Sequence, residues 1–256
     1  MNFATSNKAL KKVVKDWRGC TKCPLHLTRH EMVFYRGEAP CDVLFIGDVP
    51  SKQDGIYGEP FIDNAGKLLD QWIDDAEQEI ITDLQPLHFL GISIGICNIL
   101  ACKPPELNSK VRPPSKEEAV SCSRRLIDTI SAANPKVIVL LGSVAKKYHK
   151  IPAHLESIPV VELQHPAHVL RQGGIGSYAY DSNLLKLVEA LETHLYGQKE
   201  EVVSVKKQST SSKKTTRNKV VQSTDQAAKV RIDPQGARKP SGTKKGQRDQ
   251  SRKRSR

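Results

Sequence analysis

Long apolar runs are absent from this chain, and its first ten residues are polar. A membrane-spanning helix needs about 20 consecutive apolar residues, and a secretion signal needs an apolar core. We therefore expect a protein without membrane contact in a reducing intracellular compartment, which would be the cytoplasm or nucleoid, or the nucleus of a eukaryote. Because thiols stay reduced there, this expectation disfavours disulfide bonds between the cysteines.

Aromatic residues are missing from the C-terminal part of the chain, and acidic residues are few there. Residues 198–256 contain no Phe, Tyr or Trp and carry 18 Lys and Arg against 5 Asp and Glu, so the whole net charge of +12 belongs to them. Such a segment cannot bury enough apolar surface to offset the entropy of ordering. We predict a disordered basic tail that attracts a polyanion such as DNA without sequence preference. A tail that serves solubility or nuclear import alone is the alternative.

The remaining residues, 1–197, have a length that suits one compact domain. Apolar runs predict four strands, at 42–47, 92–100, Val137–Leu141 and Val160–Leu163. Amphipathic segments and a capping box predict helices at 7–18, at 65–80, from Ser115, from Ser143 and at 182–196. Since helices alternate with buried strands, we predict an α/β fold, a three-layer α/β/α sandwich with a mostly parallel four-stranded central sheet.

Four cysteines have the spacing of metal ligands. Cys20 and Cys23 form a Cys-x-x-Cys pair, and Cys102 and Cys122 flank a Pro-containing loop far downstream. Spacing alone allows a four-thiolate zinc site, an iron–sulfur cluster or disulfides. The expected reducing compartment favours metal. The two other cysteines, at positions 41 and 97, lie in or beside apolar runs and are interpreted as small buried residues.

Polar side chains follow three of the predicted strands. Asp48 ends the first strand, Asn98 lies near the end of the second, and His165 follows the fourth. Ligands of open parallel sheets bind at the carboxyl ends of the strands. A carboxylate, an amide and an imidazole on one edge predict a site for a polar, base-like ligand. A purely structural role is the alternative for these residues, since a carboxylate can cap a turn and a histidine can be buried and hydrogen-bonded.

The order of these motifs resembles the iron–sulfur uracil-DNA glycosylases, often called family 4, over about residues 20–195. The matching segments are 20–25 (CTKCPL), 47–50 (GDVP), 58–61 (GEPF), 65–69 (AGKLL), 97–105 (CNILACKPP), 134–139 (NPKVIV), 141–142 (LG) and 165–171 (HPAHVLR). The resemblance implies a structural [4Fe–4S] cluster on Cys20, Cys23, Cys102 and Cys122. It also implies that the protein removes uracil or a related damaged base from DNA in base excision repair, and we expect it to act as a monomer.

The resemblance assigns a role to each residue of the predicted site. Phe61 would stack on the flipped base, and Asn98 would read the uracil edge. His165 would donate a hydrogen bond to a uracil carbonyl as negative charge grows on the leaving base. Asp48 would orient water and stabilise the oxocarbenium-like sugar, and Arg171 would contact the duplex.

The chain departs from the family pattern at Asp48, at Asp63, which replaces a usual glycine, and in a longer loop between Cys102 and Cys122. Asp48 stands where members usually carry Glu, and its side chain is one methylene shorter. A misplacement of about 1 Å can lower a rate roughly 100-fold. A non-catalytic DNA-binding or replication accessory protein on the same fold is therefore an alternative. A zinc-stapled nucleotide-binding protein is another, although no Gly-rich phosphate loop follows the first predicted strand.

Overall fold

Residues 7–84, 91–107 and 110–196 are described by the computed structural model of the protein. They all belong to Met1–Ser212, the larger of the two units into which the chain divides. The predicted domain boundary at residue 197 and the basic tail at 198–256 lie outside the described residues. None of the described helices is both long and apolar enough to cross a membrane.

A five-stranded sheet forms the centre of the fold. Its strands are β1 (Arg36–Gly37), β2 (Val43–Gly47), β3 (Ile94–Asn98), β6 (Val137–Leu141) and β7 (Val160–Leu163), in the spatial order β1-β3-β2-β6-β7. The last four in that order are parallel, and β1 pairs with β3 antiparallel at one edge. A separate two-stranded hairpin joins β4 (Glu106–Leu107) to β5 (Lys110–Val111). The parallel strands therefore end along one edge of the sheet.

Seven α-helices connect or flank these strands within the described residues. They are α1 (Lys8–Trp17), α2 (Lys52–Tyr57), α3 (Asn64–Leu84), α4 (Lys116–Ala133), α5 (Ser143–Tyr148), α6 (Pro166–Arg171) and α7 (Tyr178–Leu191). Short 3-10 turns occur at Pro24–Leu27 and Ala153–Leu155, and a π-helical turn, Glu192–Tyr196, follows α7. The predicted capping box of α4 is present, because Ser115 Oγ accepts from the Glu118 N–H and the Glu118 carboxylate accepts from the Ser115 N–H.

Two apolar cores lie on opposite faces of the sheet. Leu44 and Ile46 of β2 face α1 and α4, whereas Val43 and Phe45 face α3 and α7. Successive side chains of a strand point to opposite faces, so a strand covered on both sides is a continuous apolar run. These two cores confirm the predicted three-layer α/β/α sandwich and its mostly parallel sheet.

The differences from the sequence-based prediction concern short or loop-bounded elements. The central sheet has five strands rather than the predicted four, because β1 adds an edge strand. The strand β1 and the β4–β5 hairpin have two residues per strand, too few for a period to be visible in the sequence. The last helix begins at Tyr178 rather than at residue 182, because the Ser177 hydroxyl caps it by accepting from the Tyr180 N–H. The six-residue helix α6 begins directly after His165, which is therefore its N-cap residue.

Candidate active site and cysteine centre

An open cleft of about 580 Å³ lies at the carboxyl ends of the parallel strands. Asp48 follows β2, Gly142 follows β6, and His165 follows β7, and all three line it. Phe61 and Arg171 contribute to the same cleft from the loop before α3 and from the end of α6. The structure thus brings together four of the five predicted base- and DNA-site residues on one surface.

Asp48 is a partly buried carboxylate. Its Oδ1 atom accepts a hydrogen bond from the Ala145 N–H at 3.1 Å, in the first turn of α5. Burial raises the pKa of Asp48 from 3.8 to about 6, and the bond from Ala145 only partly opposes this effect. Asp48 is therefore mostly ionised at neutral pH, but it is a stronger base than an exposed aspartate.

His165 faces Asp48 across Gly142. Gly142 has a φ of 92°, which favours glycine, and a Cβ atom there would lie only 3.0 Å from His165 Cβ and 3.6 Å from Asp48 Oδ1, so both side chains flank this glycine. Burial lowers the pKa of His165 to about 4, so its ring is neutral at physiological pH.

The tautomer of His165 follows from its hydrogen bonding. Its Nδ1 atom caps α6 by accepting from the Ala167 N–H at 3.2 Å. An accepting Nδ1 in a neutral ring assigns the proton to Nε2. The neutral ring thus has a single N–H, on Nε2. This N–H can donate a hydrogen bond to a carbonyl oxygen.

Phe61 is held in a conformation that ordinary residues rarely adopt. Its φ is +57°, and its ring stacks against that of His165 with centroids 5.7 Å apart and an interplanar angle of 26°. A Cβ on Gly66 would lie 1.8 Å from the Phe61 carbonyl oxygen, so α3 packs directly against this backbone. Backbone strain of this kind persists where the surroundings over-determine a conformation, often at binding sites.

Asn98 is the last residue of β3 and pairs in register with Gly47 of β2. A Cβ on Gly47 would lie 2.4 Å from the Phe61 ring and 2.6 Å from Asn98 Oδ1, so the ring and the amide are neighbours. Asn98 is only 1% exposed and does not line the cleft. Neither Oδ1 nor Nδ2 has a hydrogen-bond partner among the described residues, although a buried unpaired group of this kind costs about 1–3 kcal/mol.

Two carboxylates of the cleft were not among the predicted site residues. Asp54 connects the loop after β2 to that of Phe61, because its Oδ2 accepts from the Ser51 N–H and its Oδ1 from the Ile62 N–H, both at 3.0 Å. The Ser-x-x-Asp spacing was a visible capping signal. Asp63 accepts from the first N–H groups of α3, and its charge partly opposes the fall in the pKa of His165.

Arg171 is the last residue of α6 and is exposed at the cleft. It follows directly on Leu170, an apolar side chain that is 38% exposed. The segment predicted to contact DNA is thus a short helix that His165 caps and Arg171 ends.

The four predicted metal ligands line a second cavity, on the opposite side of the sheet from Phe61. Cys20 and Cys23 reach it from the segment after α1, Cys102 from the loop after β3, and Cys122 from α4. None of the four forms a disulfide bond, and the space that they enclose is about 20 Å³. Among the described residues, no group of three or more His, Cys, Asp or Glu is placed to hold a single metal ion.

The chemistry of this cavity fits an iron–sulfur cluster. Four cysteine thiolates are the usual ligands of a [4Fe–4S] group, whose net charge is negative. Arg29 provides positive charge, because its Nη1 atom lies 3.7 Å from Cys102 Sγ while donating to the Cys20 carbonyl at 2.6 Å. Burial raises the pKa of the Cys102 thiol, and Arg29 opposes that effect.

Cys41 and Cys97 are buried apart from this cavity. Burial raises the pKa of Cys41 to about 11 and that of Cys97 to about 12, so both are protonated thiols at neutral pH. They pack as small apolar residues of the core.

Comparison with known protein families tests the resemblance to the uracil-DNA glycosylases that the motifs indicated. The family model "Uracil DNA glycosylase superfamily" matches residues 34–191. The chain belongs to the uracil DNA glycosylase superfamily. The matched segment includes the whole sheet and every residue of the cleft described above, which confirms the resemblance inferred from the motifs.

Several curated relatives place the chain with one type within this superfamily. A type-4 uracil-DNA glycosylase of Archaeoglobus fulgidus is 26% identical over 201 residues, which are 71% of this chain and 93% of that protein. Those of Thermotoga maritima and Saccharolobus solfataricus are 31% and 30% identical over 147 and 151 residues, or 56% and 57% of this chain and 67% and 62% of theirs. The superfamily member described here is therefore of the type-4 kind.

Proposed function

We propose that this protein is a DNA N-glycosylase that hydrolyses the bond between uracil, or a related damaged base, and its deoxyribose. The observation that carries the proposal is the pairing of a neutral Nε2–H imidazole with an ionisable carboxylate across Gly142. A donor for the leaving base and an anion for the sugar are the two groups that such a hydrolysis needs. The names of the type-4 relatives support the choice of uracil in DNA.

In the proposed reaction the target nucleotide leaves the duplex and enters the cleft, where its base stacks on Phe61. The C1′–N1 bond then breaks, and its electron pair leaves with the base. His165 Nε2–H donates to the uracil carbonyl on which the negative charge grows. Asp48, ionised above a pKa of about 6, stabilises the positive sugar and orients the water that adds to C1′. The added water loses its proton to Asp48 or to solvent.

Base choice is proposed to depend on Asn98. Its amide offers one donor and one acceptor, and both lack partners among the described residues, which supports a ligand as their missing partner. Asn98 neighbours the Phe61 ring, which lines the cleft, so a base stacked on Phe61 would lie close to this amide. Uracil presents a carbonyl and an N–H that match this amide, whereas cytosine presents a different pattern.

The cysteine centre is proposed to hold a [4Fe–4S] cluster on Cys20, Cys23, Cys102 and Cys122. When bound, the cluster would join the N-terminal segment, the loop after β3 and α4 through its iron–thiolate bonds, and so would stabilise the fold. Arg29 would balance part of its charge. We also propose that residues 198–256 form a basic tail that holds the protein to DNA phosphates in an intracellular compartment.

A cleavage assay on oligonucleotides with one deoxyuridine tests the activity. Alkali cuts the strand wherever the base has been released, so strand scission reports glycosylase action. We expect scission with deoxyuridine and none with thymidine at the same position. Asp48→Asn should abolish most of it, whereas Asp48→Glu restores the length usual in the family and should retain activity.

A second function has one observation in its favour. The carboxylate of Asp48 is one methylene shorter than the usual glutamate, and the proposed alternative is a DNA-binding accessory protein without turnover. That alternative predicts tight binding of the deoxyuridine oligonucleotide by the parent protein, no scission, and scission by Asp48→Glu alone.

A further inference from the structure

A single arginine lies between the cysteine centre and the strand that ends at Asn98. Arg125, in the middle of α4, is fully buried, with 0% of its surface exposed. Arginine is almost never fully buried unless its charge is paired. No Asp or Glu forms an ion pair with Arg125 in the part of the chain that the structure describes.

The guanidinium of Arg125 is satisfied on one side. Its Nη2 atom donates to the carbonyl oxygens of Asn98 at 2.7 Å and Ile99 at 2.5 Å. These carbonyls belong to the residues where β3 ends, and the Ile99 N–H in turn donates to Gly47 O at 2.9 Å. Arg125 thus holds the backbone from which the Asn98 side chain projects.

The other side of the same guanidinium has donors without acceptors. Neither Nε nor Nη1 has a hydrogen-bond partner among the described residues. Arg125 lines the cavity that the four cysteines surround. A buried charged group with unused donors is strongly unfavourable unless an acceptor is supplied, and anionic sulfur is the acceptor chemistry that this cavity offers.

We propose that Arg125 is a positioning residue that links the cysteine centre to Asn98. Its Nε and Nη1 atoms donate to sulfur of the loaded centre, and its Nη2 atom holds the carbonyls of Asn98 and Ile99. Loading of the centre therefore fixes the end of β3 and with it the amide that reads the base. The inference rests on the proposed function only in that last step.

The test compares Arg125→Met with a matched control, Arg124→Met, in the cluster-loaded full-length protein. Arg124 is the preceding residue, is exposed and pairs with Asp128 at 3.1 Å, so its replacement removes the same charge from the surface of α4. Two measurements do not involve uracil. The first is the rate at which the visible absorbance of the cluster decays in air, and the second is hydrogen exchange of the 94–100 segment.

We expect Arg125→Met to lose the absorbance at least tenfold faster than the parent and to raise exchange in the 94–100 segment at least tenfold, since charge-assisted hydrogen bonds are lost at both places. Arg124→Met should stay within about twofold of the parent on both, as exposed ion pairs contribute little. Parental values of either quantity in Arg125→Met would overturn the link.

A third measurement connects the link to base choice. It is the ratio of binding affinities for an oligonucleotide with uncleavable 2′-fluoro-deoxyuridine and for the same oligonucleotide with thymidine, and Arg125→Met should lower it at least tenfold. A parental ratio in that variant overturns the step from Asn98 to the base. If the parent itself shows neither scission nor preference, the proposed function fails, while the first two measurements still decide on Arg125.

Should Arg125→Met not fold, as judged by circular dichroism, Arg125→Lys replaces it. Lysine keeps the charge but has one nitrogen in place of three, so it cannot donate to the centre and to both carbonyls together. We expect faster absorbance decay and faster exchange in a folded Arg125→Lys protein. Parental values of both would contradict the proposal.

Discussion

The raised pKa of Asp48 means that its carboxylate opposes folding at neutral pH. The charged form is disfavoured by burial in the native state, whereas the unfolded chain exposes it to water. Asp48→Asn removes the charge but keeps an oxygen that can accept from the Ala145 N–H. We therefore predict that this variant is more stable than the parent at neutral pH although it loses activity, a combination typical of a residue retained for catalysis rather than for the fold.

The size of the effect follows from the two pKa values, 3.8 for the unfolded chain and about 6 for the folded protein. At pH values between these two pKa values, Asp48 is protonated in the native state and ionised in the unfolded state. The free energy of unfolding of the parent therefore falls as pH rises through this range. Ionisation of Asp48 therefore lowers the free energy of unfolding hardly at all below pH 3.8, by about 1.6 kcal/mol at pH 5 and by about 3 kcal/mol at pH 7.5. The advantage of Asp48→Asn should thus grow by about 1.4 kcal/mol between pH 5 and pH 7.5.

Urea denaturation of parent and variant at pH 5 and pH 7.5 measures this difference directly. Asp74→Asn, which removes a charge from an exposed position of α3, is the control and should show no comparable change. An advantage of Asp48→Asn that is the same at both pH values would refute the reasoning, because it would place the Asp48 pKa near that of an exposed aspartate. In parallel, kcat/KM of the parent should rise through pH 6 and level off above it, with no step from the neutral His165.

Four further predictions concern the cleft, the centre and the tail. His165→Gln should lower kcat about 10²- to 10³-fold with little change in KM, measured by single-turnover and steady-state release of uracil, and an unchanged kcat would remove His165 from the reaction. Asn98→Asp should reduce or alter base choice in competition between uracil- and cytosine-containing strands; uracil processing at the parental level would show that Asn98 is not the reader. Cys102→Ser should abolish the visible absorbance and lower Tm, whereas Cys41→Ser should keep the absorbance, so equal iron content in both would argue against the assigned ligands. Truncation after residue 197 should weaken DNA binding and flatten its salt dependence with kcat unchanged; equal affinity and salt slope would indicate a protein partner or an import role for the tail.

Some features of the protein are local enough to be determined by the sequence itself. A strand covered on both faces is apolar throughout, so Val137–Leu141 was predicted with the bounds that the structure has. Val160–Leu163 was also predicted with its observed bounds, although it is an edge strand in which only Leu163 is buried. The cap of α4 depends on two residues three positions apart, Ser115 and Glu118, and was predicted for the same reason. The edge at which Asp48 and His165 meet followed from the rule that parallel strands end together.

The chemical state of the site was decided only by tertiary structure. Burial lowers the pKa of His165, so that its ring is neutral, and raises the pKa of Asp48. How deeply a residue is buried depends on which distant segments of the chain pack over it. The position of Asn98 beside Phe61 depends on a glycine in the neighbouring strand. Arg125 gave no sign of its contacts, because a surface arginine and a buried one look alike in a helical sequence, and only the approach of α4 to the end of β3 brings its guanidinium to those carbonyls.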